Sequence, residues 1–178
     1  MGLELMNIQP DAIILEIGFG NGRLISALAK KLDTGRIIGI DISQEMILEA
    51  EKKNAAFIPT GKVELHHSSV EKISMEDDYF DKIVTANTIY FWPDLSNNIN
   101  EIYRTLKSGG QFYCALRPEE EMKDNGIVKT NRSIFKHLFS TLFKGAYPSL
   151  SRGIGIYGRS SSRTKRQTFH QFGRDWHQ

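Results

Sequence analysis

Three glycines and two acidic residues in the first part of the chain have the types and spacing of a ligand-binding site. The stretch "ILEIGFGNG" places Gly18, Gly20 and Gly22 at alternate positions, and Glu16 stands two residues before the first of them. Glycine loses more conformational freedom on folding than any other residue, so three in one turn indicate that some group approaches the backbone closely. Glu16 and Asp41, which lies about 20 residues beyond the turn, suit a cationic or hydroxyl-bearing ligand. Glu16 would repel a pyrophosphate.

The hydrophobic pattern predicts the elements that must hold this turn. Apolar runs typical of buried strands alternate with helical patterns between residue 2 and residue 116. The predicted strands cover 12–17, 36–43, 61–69, 82–86 and 110–116, and the predicted helices between them cover 22–32, 44–55 and 94–108. Strands that alternate with helices form βαβ crossovers. The sequence therefore predicts an α/β protein with a doubly wound, mostly parallel sheet and helices on both faces.

The predicted turn stands at the position where such sheets bind ligands. Parallel sheets bind beyond the carboxyl ends of their strands, near the point where the strand order reverses. Backbone N–H groups of the turn and a helix N-terminus are therefore expected to face the ligand. The spacing differs from the G-x-G-x-x-G pattern of dinucleotide-binding proteins, because Arg23 stands where the third glycine should be. An NAD-dependent oxidoreductase is disfavoured for this reason.

Five segments resemble, in order, the motifs of the class I S-adenosylmethionine-dependent methyltransferases. They are "ILEIGFGNGRL", "GIDIS", "SSVEKI", "FDKIVTANTIYFW" and "EIYRTLKSGGQFYCAL". The resemblance covers residues 6 to 116 and points to the small-molecule branch, which includes the ubiquinone and menaquinone C-methyltransferases. It implies a Rossmann-like fold, S-adenosylmethionine as the cofactor, and methyl transfer to a small-molecule acceptor.

The resemblance also implies roles for individual residues. In the family, the glycine turn lets the backbone pass against the methionine and ribose parts of the cofactor. Glu16 is expected to reach the methionine amino group, directly or through water, and Asp41 to take the ribose hydroxyls. Ile42 is expected to pack on the adenine face. The matching residues of the turn are Gly18, Phe19, Gly20, Asn21 and Gly22.

Three further positions are implied, with alternatives left open. Ser69 stands where the family often has an aspartate that accepts the adenine amino group, and it is equally well interpreted as an ordinary loop residue. The backbone of Val70 can serve the adenine edge. Asn87 falls where the family faces the methionine end of the cofactor, although asparagine is also common in backbone turns. For Asp41, the alternative is a charge that favours the N-terminus of the following helix.

The acceptor side of the site is less well defined. Tyr90 and Trp92 can line an acceptor pocket, but aromatic residues here more often pack in the core. The sequence names no catalytic base, and an activated methyl donor mainly needs an acceptor held in position. The stretch "NTIY" lacks the prolines of the Asn-Pro-Pro-Tyr motif, which argues against methylation of adenine or glutamine amino groups.

The composition limits the other possibilities. The chain has 178 residues, a net charge of +2 and one cysteine, Cys114, so it forms no internal disulfide, and a reducing cytoplasm is expected. No apolar run approaches the about 20 residues of a membrane span, so no membrane partner is expected. His66 and His67 are adjacent and point to opposite sides of a strand. No Cys/His spacing typical of a metal site occurs, so no metal is expected.

We predict two units, a methyltransferase domain over 1–144 and an atypical, basic, weakly ordered tail over 145–178. A helix is predicted over 133–144, and "GIGIYG" can form one short strand. The family's last two strands, a β-hairpin, are degraded or missing from this pattern, as after a frameshift. Few residues precede the first strand, where the family has covering helices. Without the hairpin, the fifth strand is expected to be a bare edge that favours a homodimer.

Two other functions stay open from the sequence. The chain can be a catalytically inactive, cofactor-binding remnant or a truncated methyltransferase, because the tail departs from the family pattern. Basic and aromatic residues interleave in the tail, which can indicate RNA binding, although a solvated chain end is more common. The small net charge does not favour a nucleic-acid partner.

Overall fold

A computed structural model of the chain describes residues 3–116 and 154–158. In chain order, the described elements are a 3-10 turn (Leu3–Met6), β1 (Ile13–Ile17), α1 (Arg23–Ala29), β2 (Arg36–Asp41), α2 (Gln44–Asn54), β3 (Val63–His67), β4 (Phe80–Ala86), a second 3-10 turn (Ile89–Phe91), α3 (Leu95–Thr105), β5 (Leu106–Leu116) and β6 (Ile154–Gly158). In this part of the chain, no helix is long and apolar enough to pass through a membrane.

The strands form one sheet in the order β3-β2-β1-β4-β5-β6, and all of its described pairs are parallel. The chain runs outwards from β1 to β3 and then crosses to β4 on the other side of β1. The strand order therefore reverses between β1 and β4, which is where parallel α/β sheets bind ligands. The predicted α/β fold, a Rossmann-like, doubly wound and mostly parallel sheet, is confirmed.

Helices cover both faces of the sheet, as predicted. Since successive side chains of a strand point to opposite faces, each face of the sheet packs in a core of its own. On one face, Ile25 of α1 and Ile47 of α2 pack in a core with Ile14 of β1. On the other face, Ile99 of α3 packs in a second core with Leu15 of β1. Burying an apolar side chain of this size contributes about 1.5–3 kcal/mol, so apolar burial holds both layers on the sheet.

Two predicted helix ends differ from the structure by three residues. α3 ends at Thr105 rather than at residue 108, because Leu106 already pairs with Phe80 in the sheet and its side chain is buried. The loop before β4 closes this helix end, since the Tyr79 N–H donates to the Thr105 carbonyl at 2.8 Å. α1 ends at Ala29 rather than at residue 32, and the chain continues with tighter 3-10-type hydrogen bonds.

The bare edge predicted at the fifth strand is wrong. β6 pairs with β5 in parallel, from Phe112 opposite Ile154 to Leu116 opposite Gly158. The short strand predicted from "GIGIYG" is confirmed, and it satisfies the row of N–H and C=O groups that β5 would otherwise expose. The outer strands of the described sheet are β3 and β6. The predicted helix over 133–144 and the remaining residues of the tail and of the predicted hairpin region lie outside the described residues.

Cys114 is a core residue of β5. Its side chain is fully buried, and burial raises the pKa of the thiol to about 12. The thiol therefore stays protonated at physiological pH and packs as a small apolar group.

Candidate functional site

The glycine turn lies at the carboxyl edge of the sheet, beside the reversal between β1 and β4. It follows β1 and leads into α1. The φ angles are +67° at Gly18, +53° at Gly20 and +72° at Gly22. Residues with a Cβ atom rarely adopt these angles, so the path of the turn itself requires glycine.

The space beside each glycine differs, and of the three only Gly20 faces an open volume. A Cβ atom at Gly18 would collide with the side chain of Thr88, and one at Gly22 would lie 2.7 Å from Cβ of Ala50. A Cβ atom at Gly20 would have no heavy atom within 4 Å. Contacts inside the protein therefore explain Gly18 and Gly22, and the open side of Gly20 is where a ligand can approach.

The N–H groups of the three glycines are already used within the protein. The Gly18 N–H donates to a carbonyl of β2 at 2.8 Å, and the Gly22 N–H donates to the Phe19 carbonyl at 3.1 Å. The Gly20 N–H donates to Oδ2 of Asp41 at 2.8 Å. The expectation that these N–H groups face the ligand is wrong for the glycines, because each holds the turn in place. The turn therefore also lacks donors that a phosphate would need from these glycines.

Asp41 joins the glycine turn to the start of α2. Its Oδ2 accepts the Gly20 N–H, and its Oδ1 accepts the Ser43 N–H at 2.9 Å. Oγ of Ser43 in turn caps α2 by accepting the Met46 N–H at 3.3 Å. Asp41 thus has the structural role that the sequence left open as an alternative, namely a charge at the start of α2. Each carboxylate oxygen keeps a second lone pair, so ligand hydroxyl groups can still donate to it.

Glu16 is a buried carboxyl group in β1, and 2% of its surface is exposed. In the described structure its Oε2 atom has no hydrogen-bond partner. Burial raises the pKa of Glu16 well above its ordinary value, and the negative charge of Asp41 raises it further. A buried carboxyl oxygen without a donor is costly, and a cationic group of a ligand can supply that donor.

Two residues between the glycines shape the turn. The Phe19 side chain is buried in the core, where a Cβ atom at Gly39 would lie 2.7 Å from its Cδ1. This side chain is therefore not available to a ligand. Asn21 is exposed, and its Oδ1 accepts the Arg23 N–H at 3.3 Å at the start of α1.

The loops after β2 and β3 carry three of the predicted site residues. The side chain of Ile42 is exposed, whereas those of Ser69 and Val70 make contacts within the protein. The Ile42 side chain is 72% exposed, while its carbonyl accepts a hydrogen bond from Nε2 of His67 at 2.9 Å. Oγ of Ser69 donates to Oε2 of Glu71 at 3.0 Å and accepts the Glu71 N–H at 3.2 Å. These two hydrogen bonds close a local turn, which agrees with the interpretation of Ser69 as an ordinary loop residue. The Val70 side chain is buried in the core, which leaves its backbone for a ligand.

The turn after β4 brings an aromatic side chain to the same edge. Asn87 has a φ of +60°, and its N–H donates to the Ala115 carbonyl at 2.9 Å, as expected of a turn residue. Tyr90 is buried in the core, which confirms the prediction that it packs there, and Trp92 is partly buried and packs against this core. Phe91 is 64% exposed and was not predicted as a site residue. The signal for it is a run of three successive aromatic residues from 90 to 92, in and directly after one 3-10 turn, which cannot all face the core.

A surface hollow of about 680 Å³ lies away from this site, around the start of β4. Arg104 of α3 lies in its wall and donates to side chains and backbone carbonyls there. These partners are Glu101 and Asp77, at 2.9 and 2.8 Å, and the carbonyls of Ile73 and Met75, both at 2.8 Å. The contacts hold the loop before β4 against α3, so we interpret this hollow as structural. Within the described ranges, no group of three or more His, Cys, Asp or Glu side chains can hold a metal ion.

Comparison with known proteins identifies the family. A family model described as a methyltransferase domain matches residues 14–110, more than half of the chain. The chain belongs to this methyltransferase family. A "putative s-adenosyl-l-methionine-dependent methyltransferase" of Methanococcus maripaludis is 28% identical, with a TM-score of 0.59, over 84% of this chain and 68% of that one. Together with the family match, this likeness makes the chain an S-adenosylmethionine-dependent methyltransferase with S-adenosylmethionine as its cofactor, as the resemblance implied.

The methyltransferase is similar to proteins of several bacteria. It is 32% identical over 129 residues to "Putative methyltransferase YrhH" of Bacillus subtilis (strain 168), across 72% of this chain and 71% of that protein. It is 31% identical over 121 residues to the demethylmenaquinone methyltransferase of Bacillus licheniformis, across 67% of this chain and 51% of that enzyme. The chain thus spans about half the length of the second relative. A crystal structure of a SAM-dependent methyltransferase from Aquifex aeolicus matches the fold with a TM-score of 0.57, at 24% identity over 62% of this chain and 58% of that one.

The chemistry of the carboxyl edge fits this cofactor. S-adenosylmethionine carries a sulfonium, an ammonium group and two ribose hydroxyls, and carboxylates are suitable partners for all of them. Glu16 offers a buried carboxyl oxygen without a donor in the described structure. Asp41 offers oxygens held in place by two backbone N–H groups, and Gly20 leaves open space beside it.

Proposed function

We propose that this methyltransferase transfers the methyl group of S-adenosylmethionine to a small-molecule acceptor at the carboxyl edge of its sheet. The observation that carries the proposal is the open side of Gly20 beside the carboxyl groups of Glu16 and Asp41. The likeness to a demethylmenaquinone methyltransferase supports a small-molecule acceptor.

The residues predicted from the sequence take different proposed roles. We assign the cofactor's amino group to Glu16, directly or through water, and its ribose hydroxyls to Asp41. Ile42 is assigned to the adenine face, because covering an exposed apolar side chain of this size stabilises by about 1.5–3 kcal/mol. Further contacts are proposed for the backbone of Gly18, Phe19, Gly20, Asn21, Gly22 and Val70 and for the side chains of Ser69 and Asn87.

The chemistry requires the chain mainly to bind and orient two reactants. When bound, S-adenosylmethionine supplies a methyl group on a sulfonium sulfur that is already activated for displacement. Transfer of this methyl group to a lone pair or carbanion of the acceptor would leave the electron pair of the S–C bond on sulfur, so S-adenosylhomocysteine would be the second product. Glu16 and Asp41 hold one reactant by its charged and hydroxyl groups, and no residue is assigned as a base.

Calorimetric titration with S-adenosylhomocysteine tests the cofactor site. The wild-type chain is expected to bind it, and Asp41→Ala is expected to bind at least about tenfold more weakly, because a hydrogen bond to a charged group contributes about 1.5–3 kcal/mol. Asp41→Ala also removes the acceptor of two backbone N–H groups. Asp81→Ala is the matched control, because Asp81 likewise accepts a backbone N–H, from Ile13 at 2.8 Å, at the amino edge of the sheet.

The outcomes separate the proposed function from its alternatives. Normal binding by Asp81→Ala and weak binding by Asp41→Ala support the proposed cofactor site. No binding by a folded wild-type chain would contradict the proposal. Binding without transfer of a labelled methyl group to any acceptor in a small-molecule screen would favour the inactive, cofactor-binding remnant.

We further propose a cytoplasmic protein without a nucleic-acid partner, which is supported by a net charge of +2 and by a single, buried thiol. The division into a domain over 1–144 and a tail over 145–178 stays a proposal. Five residues of this proposed tail form β6 and belong to the sheet. A homodimer is proposed through an outer strand, β3 or β6, rather than through β5.

A further inference from the structure

β3 is an outer strand, and in the described sheet its far edge has no strand beside it. The Ile37 N–H of β2 donates to the Lys62 carbonyl at 2.8 Å, so the even-numbered residues along β3 bond to β2. Backbone groups alternate in direction along a strand, so the N–H and C=O groups of Val63, Leu65 and His67 point outwards. An edge of this kind is a template for pairing with another strand.

The residue order of β3 fits pairing with a second copy of the chain. Two copies related by a two-fold axis meet edge to edge as antiparallel strands, and an axis at Leu65 lets all five residues of β3 pair. Glu64 of each copy then lies opposite His66 of the other, in the non-hydrogen-bonded kind of pair, in which the side chains are closest. An axis at residue 64 or 66 would instead oppose two Glu64 or two His66 side chains. The order therefore favours one register.

Glu64 and His66 are accessible for these pairs, since their side chains are 39% and 45% exposed. Within one chain, the 3.7 Å between Nε2 of His66 and Oε2 of Glu64 is too long for a hydrogen bond. Arg36 lies 3.4 Å from Glu64 in an exposed ion pair, which contributes little. An imidazole N–H donates to a carboxylate in both the neutral and the charged form of the ring. β6, the other outer strand, has the sequence "IGIYG" and offers no charged side chain to fix a register.

The helix beside β3 provides a second observation. Ala50 of α2 lies against Gly22 at the start of α1. Leu48 stands two residues before Ala50 and therefore on the opposite side of α2, which faces past β3. Its side chain is 50% exposed. A large apolar side chain beside an open strand edge fits a surface that a second copy covers.

The same two-fold axis brings the two α2 helices together. α2 packs on both β2 and β3, and strands lie about 4.8 Å apart, so the two helices come about 10 Å from each other, as packed helices do. They run antiparallel, which points the acidic first turn of α2, at Glu45, towards the basic last turn of the other copy, at Lys52 and Lys53. Leu48 lies between these charged turns and can pack against the other helix.

We propose that the chain forms a symmetric homodimer in which β3 pairs with β3 of a second copy and joins the two sheets. Two pairs of Glu64 with His66 fix the register on one face, and Leu48 of each α2 meets the other helix on the opposite face. This dimer selects β3 from the two outer strands proposed above and does not depend on methyl transfer. Five paired residues and one helix contact make a small interface, so the dimer is expected to dissociate on dilution.

Sedimentation velocity of the full chain over a series of concentrations tests the register. Glu64→Lys is expected to weaken association at least about threefold and His66→Glu at least about tenfold, because symmetry changes two cross-strand pairs at once. An equimolar mixture of the two variants is expected to restore wild-type association. In the mixed dimer the new lysine faces the new glutamate, and the unchanged His66 faces the unchanged Glu64.

Two exposed apolar residues test the helix contact. Leu48→Asp is expected to weaken association at least about tenfold, because the dimer would bury an unpaired charge. Phe91→Asp is the matched control, since Phe91 is 64% exposed at the carboxyl edge of the sheet, and it is expected to associate as the wild type does.

Disulfide formation gives a measurement that does not depend on weakened variants. Oxidation of a mixture of Glu64→Cys and His66→Cys is expected to link two chains, because directly opposed residues lie within reach of a disulfide. Either variant alone is expected to link poorly, since identical residues are then diagonal neighbours about 7–8 Å apart. Cys114 is buried and does not compete.

A wild type that stays monomeric at every concentration would overturn the proposed dimer. Association that neither Glu64→Lys nor His66→Glu weakens would overturn it, and so would equal disulfide linking by either cysteine variant alone. Weak association that the mixture does not restore, without a disulfide in the mixed cysteine variants, would also overturn it. Calorimetry with S-adenosylhomocysteine keeps the two proposals apart. Glu64→Lys is expected to keep the wild-type affinity, and a wild type that does not bind would overturn the proposed function only.

Discussion

Glu16→Gln is expected to stabilise the ligand-free protein at alkaline pH. Glu16 is buried, its Oε2 lacks a partner in the described structure, and burial together with Asp41 raises its pKa. The folded protein therefore holds this proton to a higher pH than the unfolded chain does. The stability from the neutral acid is fully present below the ordinary pKa of 4.5 and is lost as the pH rises through the raised pKa. Glutamine keeps the shape of the side chain and cannot ionise.

Urea unfolding of both proteins from acidic to alkaline pH measures this effect. Above the raised pKa, the variant is expected to have a free energy of unfolding at least about 1–3 kcal/mol larger, because the wild type then buries an ionised carboxylate without a donor whereas glutamine stays neutral. Glu101→Gln is a control of opposite sign, because the hydrogen bond from Arg104 lowers the pKa of Glu101. That variant is expected to lose stability at neutral pH. A Glu16→Gln protein that is less stable than the wild type at alkaline pH would show that Glu16 has a donor in solution.

The same substitution is expected to weaken binding of S-adenosylhomocysteine at least about tenfold. An amide cannot replace the charge-assisted hydrogen bond that a carboxylate makes with the ammonium group of the ligand. If Glu16→Gln is more stable than the wild type and binds S-adenosylhomocysteine less well, Glu16 serves ligand binding at a cost in stability. Unchanged binding in calorimetry would remove Glu16 from the proposed cofactor site.

Gly22→Ala is expected to destabilise the fold much more than Gly20→Ala, although both add one methyl group to the same turn. Both positions have a positive φ, which costs an L-residue about 1–2 kcal/mol. At Gly22 the new Cβ would also lie 2.7 Å from Cβ and 3.0 Å from Cα of Ala50, so the backbone of α2 must move. Overpacking of this kind adds about 1–3 kcal/mol. The expected losses are about 2–5 kcal/mol for Gly22→Ala and about 1–2 kcal/mol for Gly20→Ala.

The order of the two variants is expected to reverse for binding of S-adenosylhomocysteine, which Gly20→Ala should weaken more than Gly22→Ala does. Gly20→Ala places its Cβ in the open volume proposed for the cofactor, so S-adenosylhomocysteine is expected to bind at least about tenfold more weakly, the equivalent of about 1.4 kcal/mol. Urea unfolding and calorimetry on the two variants measure both effects. Equal losses of stability would mean that the backbone angle alone matters at Gly22. Wild-type affinity in Gly20→Ala would mean that the ligand does not approach the turn from that side.

The sequence by itself determined the class of fold and the family. Strand and helix periods depend on residues close in the chain, so the runs that became β1 to β5 and the three helices were predicted with errors only at their ends. The motifs of the site are local as well, since the turn from Gly18 to Gly22 directly follows β1, and the acids Glu16 and Asp41 lie at the carboxyl ends of β1 and β2. Parallel strands bring those ends to one edge of the sheet, and the family comparison agrees.

Only the tertiary structure decided what each of these residues touches. Gly18 is required by Thr88 and Gly22 by Ala50, residues of distant elements, so one explanation for all three glycines was too simple. The pairing of β6 with β5 and the exposure of Phe91 beside a buried Tyr90 also depend on elements far apart in the chain. Periodicity shows that a residue faces a core or the solvent. It does not show which neighbour arrives there, because contacts between distant segments are fixed by packing and not by local spacing.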